Sequence, residues 1–589
     1  MSSSVQTPAR THRTCPMKLL CRTLWCSVIF LGALQTLSVH CLRTPFTAST
    51  LAREADVDTG DAPLPDLYEA SILELQNGLD AGQFTSVDLV KAYFARIEEV
   101  NLQGPALRAV LEINPSALEQ AASLDAERTT TGKRGLLHGI PVLLKDNMAT
   151  IASEGMNTTA GSYALLGSVV PDDAGVVKKL REAGAIILGK GNLSEFARFR
   201  GHLPSGWSGR GGQASSAYYP HADPCGSSSG PGIATSIGLT AVALGTETDG
   251  SITCPSGNNN LAGIKPTVGL TSRAGVIPLS EHQDTVGPMA RSMTDAAIVL
   301  SLIAGTDPND NFTFAQPSVV PDYSQALNPN ALYKARIGVP RKVFLDNESN
   351  FTANGSMSDI GVAFENALDV IRALGATIVD PADLPSAEAI LSSENETLVI
   401  DTDFKIQINA WLEGLVSNPS GVRSLADLIA FDDANPSLEE PMNYTSQSQF
   451  IDSEATTGYT DAYFQSLTYD YELGGAQGID AALEMFDLDA LVLPAQGISA
   501  TPAAIAGYPV VTVPLGFFPS NVTIGSAGPE TVYPAPGVPY GISFIGTAFS
   551  EFDLIGFAYA YEQRTKTRLG GKAFPAAIPK TQLRDVIGK

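Results

Sequence analysis

The sequence predicts an α/β fold, and three observations carry that reading. Amphipathic segments alternate with short apolar runs in a helix-then-strand order, the pattern of layered α/β proteins. Gly 54 and Pro 38 supply frequent turns between those segments. A chain of 589 residues that is 44% hydrophobic and 17% charged has the composition of a globular protein with a large core. Length alone would allow about two to four domains. No internal repeat and no clear linker breaks the alternation, so one large domain fits better than several small ones.

The elements follow in order. Residues 44–66 end in "DTGDAPLPD" and read as a surface lead-in. Thr85, with Asp88 three residues later, forms a capping-box pattern. It opens "SVDLVKAYFARIEEVN", in which Leu89, Tyr93 and Ile97 fall on one helical face. "HGIPVLLKDN" predicts a strand from Ile140 to Leu144, ending at Lys145. "DDAGVVKKLREAGAIILGKGN" predicts a helix capped by Asp172 or Asp173 and stopped by Gly184, then the buried strand "AIILG". "ARIGVP" near Gly338, "ALDVIRALGATIVDP" and "DALVLPA" near Leu493 continue the alternation. The stretch of about 386–475 is more polar and irregular, and reads as a lid or insertion.

Charge narrows the partners. A formal net charge of −25 disfavours nucleic acid and anionic lipid, and the body has no useful basic run. The acidic surface serves solubility. Residues 1–43 differ: they carry Arg10, Arg13, Lys18, Arg22 and Arg43 and no acid, leaving 32 basic against 62 acidic residues in the remainder. The uncharged, mostly apolar run Leu24 to Val39 completes a secretory-signal pattern, with Met17 as an alternative start and small residues near Ser38 as the cleavage candidates. Sixteen residues is short for a membrane span, and an uncleaved anchor is the alternative. The expected location is therefore secreted or in the endomembrane lumen, with no other membrane association.

Nine N-x-S/T sequons agree with that route: Asn157, Asn192, Asn311, Asn347, Asn350, Asn354, Asn395, Asn443 and Asn521. Asn347, Asn350 and Asn354 share a polar stretch and are the best placed for glycosylation; Asn157 and Asn192 lie close to predicted core. Of six cysteines, Cys15, Cys21, Cys26 and Cys41 fall in or beside the leader. Only Cys225 and Cys254 remain, too few for a disulfide scaffold. They either pair or are two buried thiols, and buried thiols are the default expectation.

Several common catalytic devices are missing from the sequence. There is no G-x-S-x-G nucleophile elbow, no H-E-x-x-H, no paired Cys/His metal spacing, and no phosphate or dinucleotide loop in context. Only His138, His202, His221 and His282 lie outside the leader. The sequence therefore predicts neither metal nor cofactor. Two Ser/Gly runs stand out instead: "CGSSSGPG", Cys225 to Gly232, and "GTETDGSITCP", Gly245 to Pro255. Their apolar flanks, "GIATSIGLTAVALGTE" and "LAGIKPT", argue against flexible linkers. Serines embedded in such surroundings must be hydrogen-bonded, and small residues let backbone amides approach a ligand. A serine nucleophile without histidine needs another base. A lysine whose pKa is depressed by burial can serve, and Lys145 ends an apolar strand. Taken alone, Lys145 reads equally as a salt-bridged strand-end residue.

These segments resemble the amidase signature family of hydrolases. The resemblance runs from "ELQNGLDAGQFTSVDLVKAYFARI" through "GLLHGIPVLLKDN" and "MNTTAGSYALLGSVVPDDAGVVKKLREAGAIILGKGNLSEFA". It continues from "PCGSSSG" to "GIKPTVGLTSRAGVIPLSEHQDTVGPMARSMTD" and returns at "LVLPA" and "AGYPVVTVPLG". It implies a single amidase domain over 67–589, with a mixed central sheet covered by helices on both faces. It also implies a Ser–cis-Ser–Lys triad: Ser251 as nucleophile, Ser227 as bridging serine after a cis Gly226–Ser227 peptide, and Lys145 as base. The backbone N–H groups of Thr248, Asp249, Gly250 and Ser251 would form the oxyanion hole, each such donor contributing roughly 3–4 kcal/mol. The substrate would be a small-molecule amide, with no oligomeric state implied.

The chain departs from the family pattern at Ser229 and Asp249, where the family has glycine. Glu247 replaces an aspartate and Thr253 an arginine. Asp249 places a carboxylate beside the expected oxyanion hole, pointing either inward or outward. Asp284 and Arg291 match family positions and read as structural. Two other readings share the scaffold: the glutaminase subunit of an amidotransferase, and a non-catalytic binding protein.

Overall fold

The computed structural model describes residues 63–345, 352–353 and 356–589. The predicted leader, its four cysteines, most of the lead-in and sequons Asn347, Asn350 and Asn354 lie outside the described residues. Residues 63–589 form one compact unit. Among the described residues no helix is long and apolar enough to cross a membrane.

A mixed sheet of eleven strands runs through this unit, flanked by helices. In chain order the strands are β1 (Val110–Ile113), β2 (Pro141–Lys145), β3 (Ile186–Gly191), β4 (Val242–Glu247), β5 (Ala262–Lys265) and β6 (Thr285–Ala290). Then come β7 (Arg336–Gly338), β8 (Thr377–Val379), β9 (Ala490–Pro494), β10 (Val510–Phe517) and β11 (Pro539–Ile545). Their spatial order is β1-β3-β2-β4-β6-β5-β10-β11-β9-β7-β8. β2 lies parallel to both β3 and β4, and β4 runs antiparallel to β6. Every residue of β2, β3 and β4 is buried, which is why these strands read as continuous apolar runs and not as alternating ones.

The predicted α/β fold and its sheet are thus present. The helix Ser86–Val100 carries the predicted capping box, with Thr85 and Asp88 bonding reciprocally, and buries Leu89, Tyr93 and Ile97. The predicted cap at Asp172 or Asp173 is corrected. The helix there is Gly175–Glu182, entered from Ala174 with no side-chain cap. Asp173 instead accepts from the Ile151 N–H and from Arg181, and Asp172 pairs with Lys178. A charged partner drew each carboxylate away from the helix end.

The stretch 386–475 is also more regular than its polarity suggested. It forms the helices Ala387–Ser392, Asn395–Glu413, Leu425–Ala434, Ser448–Ala455 and Asp461–Tyr471. Polar tethers within it are buried: Asp403 accepts from Ser280 Oγ at 2.6 Å and Tyr463 Oη at 2.7 Å, and lies 2.8 Å from His282 Nδ1. A helix face that buries such groups lacks the apolar periodicity by which helices are recognised.

The described sequons divide by exposure. Asn192 is fully buried and bonded to Arg108, and Asn157 donates to Glu112. Asn311, Asn443 and Asn521 are exposed, while Asn395 is half-buried, bonded to Ser393 and accepting from Ser466.

Candidate active site

The central strands carry the site. β2 ends at Lys145 and is paired with β4 through Leu144 and Leu244. Thr246 follows two residues later on β4, so it arrives beside the lysine side chain. Lys145 Nζ is 2.7 Å from Ser227 Oγ, and it donates to Thr246 Oγ1 at 2.8 Å and to the Thr246 carbonyl at 3.1 Å. Asn147 Nδ2 also donates to Thr246 Oγ1, at 3.0 Å. Lys145 is fully buried and forms no ion pair among the described residues, which contradicts the salt-bridged alternative. Burial pushes its amine down to about 7, against the opposing pull of the Asp284 and Glu247 carboxylates. A large share of the amine is therefore neutral at neutral pH.

The two Ser/Gly runs close on this lysine. The Gly226–Ser227 peptide is cis, as the resemblance implied. The Ser194 N–H donates to the Ser227 carbonyl at 3.1 Å. Ser228 then ties the run in place: its N–H donates to the Ser251 carbonyl at 3.2 Å and its Oγ to the Thr246 carbonyl at 3.0 Å. That approach needs Gly245 on the strand, because a Cβ there would stand 2.8 Å from Ser228 Oγ and 2.9 Å from Met289 Sδ. Burial falls from Lys145 and Ser227, which are closed off, to Ser251, which is half-exposed.

The second run turns at Thr248–Ser251. Gly250 has φ +76, a left-handed conformation that glycine adopts without strain. The N–H groups of Thr248, Asp249, Gly250 and Ser251 have no acceptor among the described residues. Thr248 Oγ1 donates to Asp284 at 2.6 Å, and Asp284 also accepts from the N–H groups of Leu279 and Ser280. Asp284 is therefore structural, as expected. Arg291 is structural too, binding the Thr235, Thr240 and Ala70 carbonyls and no carboxylate.

The departures from the family pattern have physical accounts. Glu247 Oε2 accepts from the Ile252 and Thr253 N–H groups and so caps the helix Thr253–Asn258, which follows Ser251. Asp249 bonds to no neighbouring backbone. Its Oδ2 accepts from Thr501 Oγ1 at 2.8 Å, across 252 residues of sequence. Cys225 and Cys254 are joined in a disulfide, which corrects the expectation of two buried thiols. Closing the cis-serine loop onto the nucleophile helix leaves their Cα atoms 5.9 Å apart, within bonding range.

Sequence reasoning missed Thr246, Asn147, Ser228 and Thr501. Ser228 sat within a flagged run, but nothing singled it out from its neighbours. The others are ordinary polar residues whose role depends on strand pairing.

A buried lysine thus lies against Ser227 within an α/β fold, next to a turn whose N–H groups have no acceptor among the described residues. A family model described as Amidase matches residues 88–555. The chain is 41% identical over 509 residues to a probable amidase of Arabidopsis thaliana, covering 85% of this chain and 91% of that one. It is similar in structure to the native peptide amidase of Stenotrophomonas maltophilia, with 41% identity, a TM-score of 0.77, and coverage of 88% and 100% of the two chains. It is also 30% identical to a glutamyl-tRNA(Gln) amidotransferase subunit from Chloroflexus aurantiacus, over 85% of this chain and 98% of that one. The protein belongs to the amidase family.

Proposed function

We propose that this amidase hydrolyses a carboxamide to a carboxylate and ammonia or an amine through an acyl-enzyme on Ser251. One observation carries the reading: a fully buried Lys145 amine, pushed down to about 7, 2.7 Å from Ser227 Oγ. Neutral Lys145 takes the proton of Ser227 as Ser227 takes that of Ser251. Ser251 Oγ bonds to the carbonyl carbon, and the free N–H groups of the Thr248–Ser251 turn receive the oxyanion. Ser227 passes its proton to the nitrogen as Lys145 returns its own to Ser227, the C–N bond breaks and the amine leaves. Water then attacks the ester, gives up its proton along the same path and restores Ser251. No cofactor or metal enters this scheme.

Ser251→Ala should abolish amide hydrolysis in folded protein, Lys145→Ala should lower it by a factor of about 10²–10⁴, and a fluorophosphonate probe should label Ser251. Unchanged turnover in either variant would overturn the triad. The likeness to an amidotransferase component supports a second reading, a glutaminase working within a complex. Turnover of simple amides by the isolated chain favours the first; activity only alongside partner proteins favours the second. The leader pattern and the exposed Asn311, Asn443 and Asn521 support entry into the secretory route. Expression in a eukaryotic host, with glycosidase treatment of the medium fraction, tests it.

A further inference from the structure

Asp249 is not the only carboxylate beside the nucleophile. Glu396, in the first turn of the helix Asn395–Glu413, accepts from Gln283 Nε2 at 2.7 Å. It lies close enough to Asp249 and Asp470 that both disfavour its ionised form. Asp470 sits on the buried face of the helix Asp461–Tyr471, together with Tyr463 and Ser466. Ser466, one turn before it, donates to Asn395 at 2.9 Å, so this face of the helix is turned to the segment that carries Glu396. Thr501, which holds Asp249, starts a helix packed against the same helix.

Asp470 is the telling member. It is 2% exposed, and neither of its carboxylate oxygens has a hydrogen-bond partner. A carboxylate held in that state is costly unless something pairs with it. Among the described residues no lysine, arginine or histidine forms an ion pair with Asp249, Glu396 or Asp470. The one cation acting on Asp249, Lys265, spends its amine on the Tyr508 carbonyl at 2.7 Å. The carboxyls of Asp470 and Glu396 are accordingly pushed up, to about 7 and about 8, by burial first, while Asp249 stands at the exposed rim. The described acidic groups do not converge tightly enough to hold a metal ion. An organic cation, larger and with several donors, suits their spread.

We propose that Asp249, Glu396 and Asp470 form an ammonium subsite, and that the amides this protein prefers carry a positively charged amine near the scissile carbonyl. Asp249 is two residues from Ser251 in the chain and forms the rim of the subsite. Asp470 forms its closed end. The proposal rests on the amidase reading above.

The test compares 4-aminobutanamide with pentanamide, in which an ammonium replaces a methyl at equal length. Ammonia release is followed for the wild type, Glu396→Gln and Asp470→Asn. We expect kcat/KM for the cationic amide to exceed that for the neutral one by at least about tenfold. In either variant the ratio falls towards one, mainly through KM for the cationic amide. Pentanamide turnover reports whether each variant is folded. If neither amide is turned over, protection of Ser251 from fluorophosphonate labelling by the same pair gives the same comparison. Equal turnover or protection by the two amides, or a ratio unmoved in both variants, overturns the subsite and leaves the amidase reading standing. Failure of every amide, together with failure to label Ser251, overturns the amidase reading itself.

Discussion

Cys225 and Cys254 are covalently joined, two residues before Ser227 and three after Ser251. The bond therefore clamps the Ser227 loop onto the helix that follows Ser251. Closing a separation of 29 residues is worth about 3–4 kcal/mol in the chain-entropy picture. Dithiothreitol should lower the Tm and reduce kcat together. A Cys225→Ser/Cys254→Ser double variant should show the lowered Tm with no further response to reductant.

The Lys145 amine sets a pH dependence. Its pKa is lowered to about 7, so the neutral form needed for proton abstraction is scarce below that pH and dominant above it. kcat/KM should climb about tenfold per pH unit below pH 7 and level off by about pH 8. Lys145→Ala should lose the slope along with a factor of about 10²–10⁴ in rate. A pH–rate profile from pH 5 to 9 checks both.

Glu247 acts on the site in two ways. It caps the helix behind Ser251 and also favours the charged form of Lys145. Glu247→Gln keeps one acceptor and removes the charge. The ascending limb should therefore move to lower pH, while stability falls by about 1 kcal/mol. Thermal unfolding and the pH–rate profile separate the two effects.

Thr246→Val removes the hydroxyl shared by Lys145 and Asn147 while keeping the side-chain shape. Two buried donors lose a partner, at a cost of about 1–3 kcal/mol. Lys145 also loses a contact that orients it, so kcat should fall more than KM changes. Thr246→Ser should recover most of the rate.

A second buried cluster, remote in chemistry from the triad, predicts a stability effect. Arg200 is fully buried against Glu195 at 3.0 Å and Asp432 at 3.4 Å, and Glu439 also faces it. Burial raises all three carboxyls, repulsion from Glu439 adds to the rise of Glu195 and Asp432, and Asp432 is pushed up to about 8. A raised carboxyl binds its proton more tightly in the folded state, so its stabilisation is complete at low pH and is lost as pH rises towards 8. The Tm should fall between pH 5 and pH 9, and Asp432→Asn should flatten that fall.

Local features of the sequence were legible where one short stretch decides the outcome. The Thr85–Asp88 cap and the apolar runs that became β2 and β3 belong to this kind, whereas the run that holds β4 was consistent with helix or strand. The cap near Asp172 and Asp173 was misread because Arg181 and Lys178 compete for those carboxylates. The helices of the 386–475 stretch were not legible because they bury Asp403, Tyr463 and Asp470, which break the apolar stripe.

The sequence by itself determined the α/β class, the family resemblance and which serines and lysine to compare, because propensity, punctuation and motif spacing are properties of neighbours in the chain. Only the tertiary structure decided that Cys225 meets Cys254, that Thr246 reaches Lys145, and that Asp249 turns to Thr501. Those outcomes depend on which strands pair and which helices pack, and on how far burial strips a charge of its water. Contacts across 29, 101 and 252 residues leave no local trace.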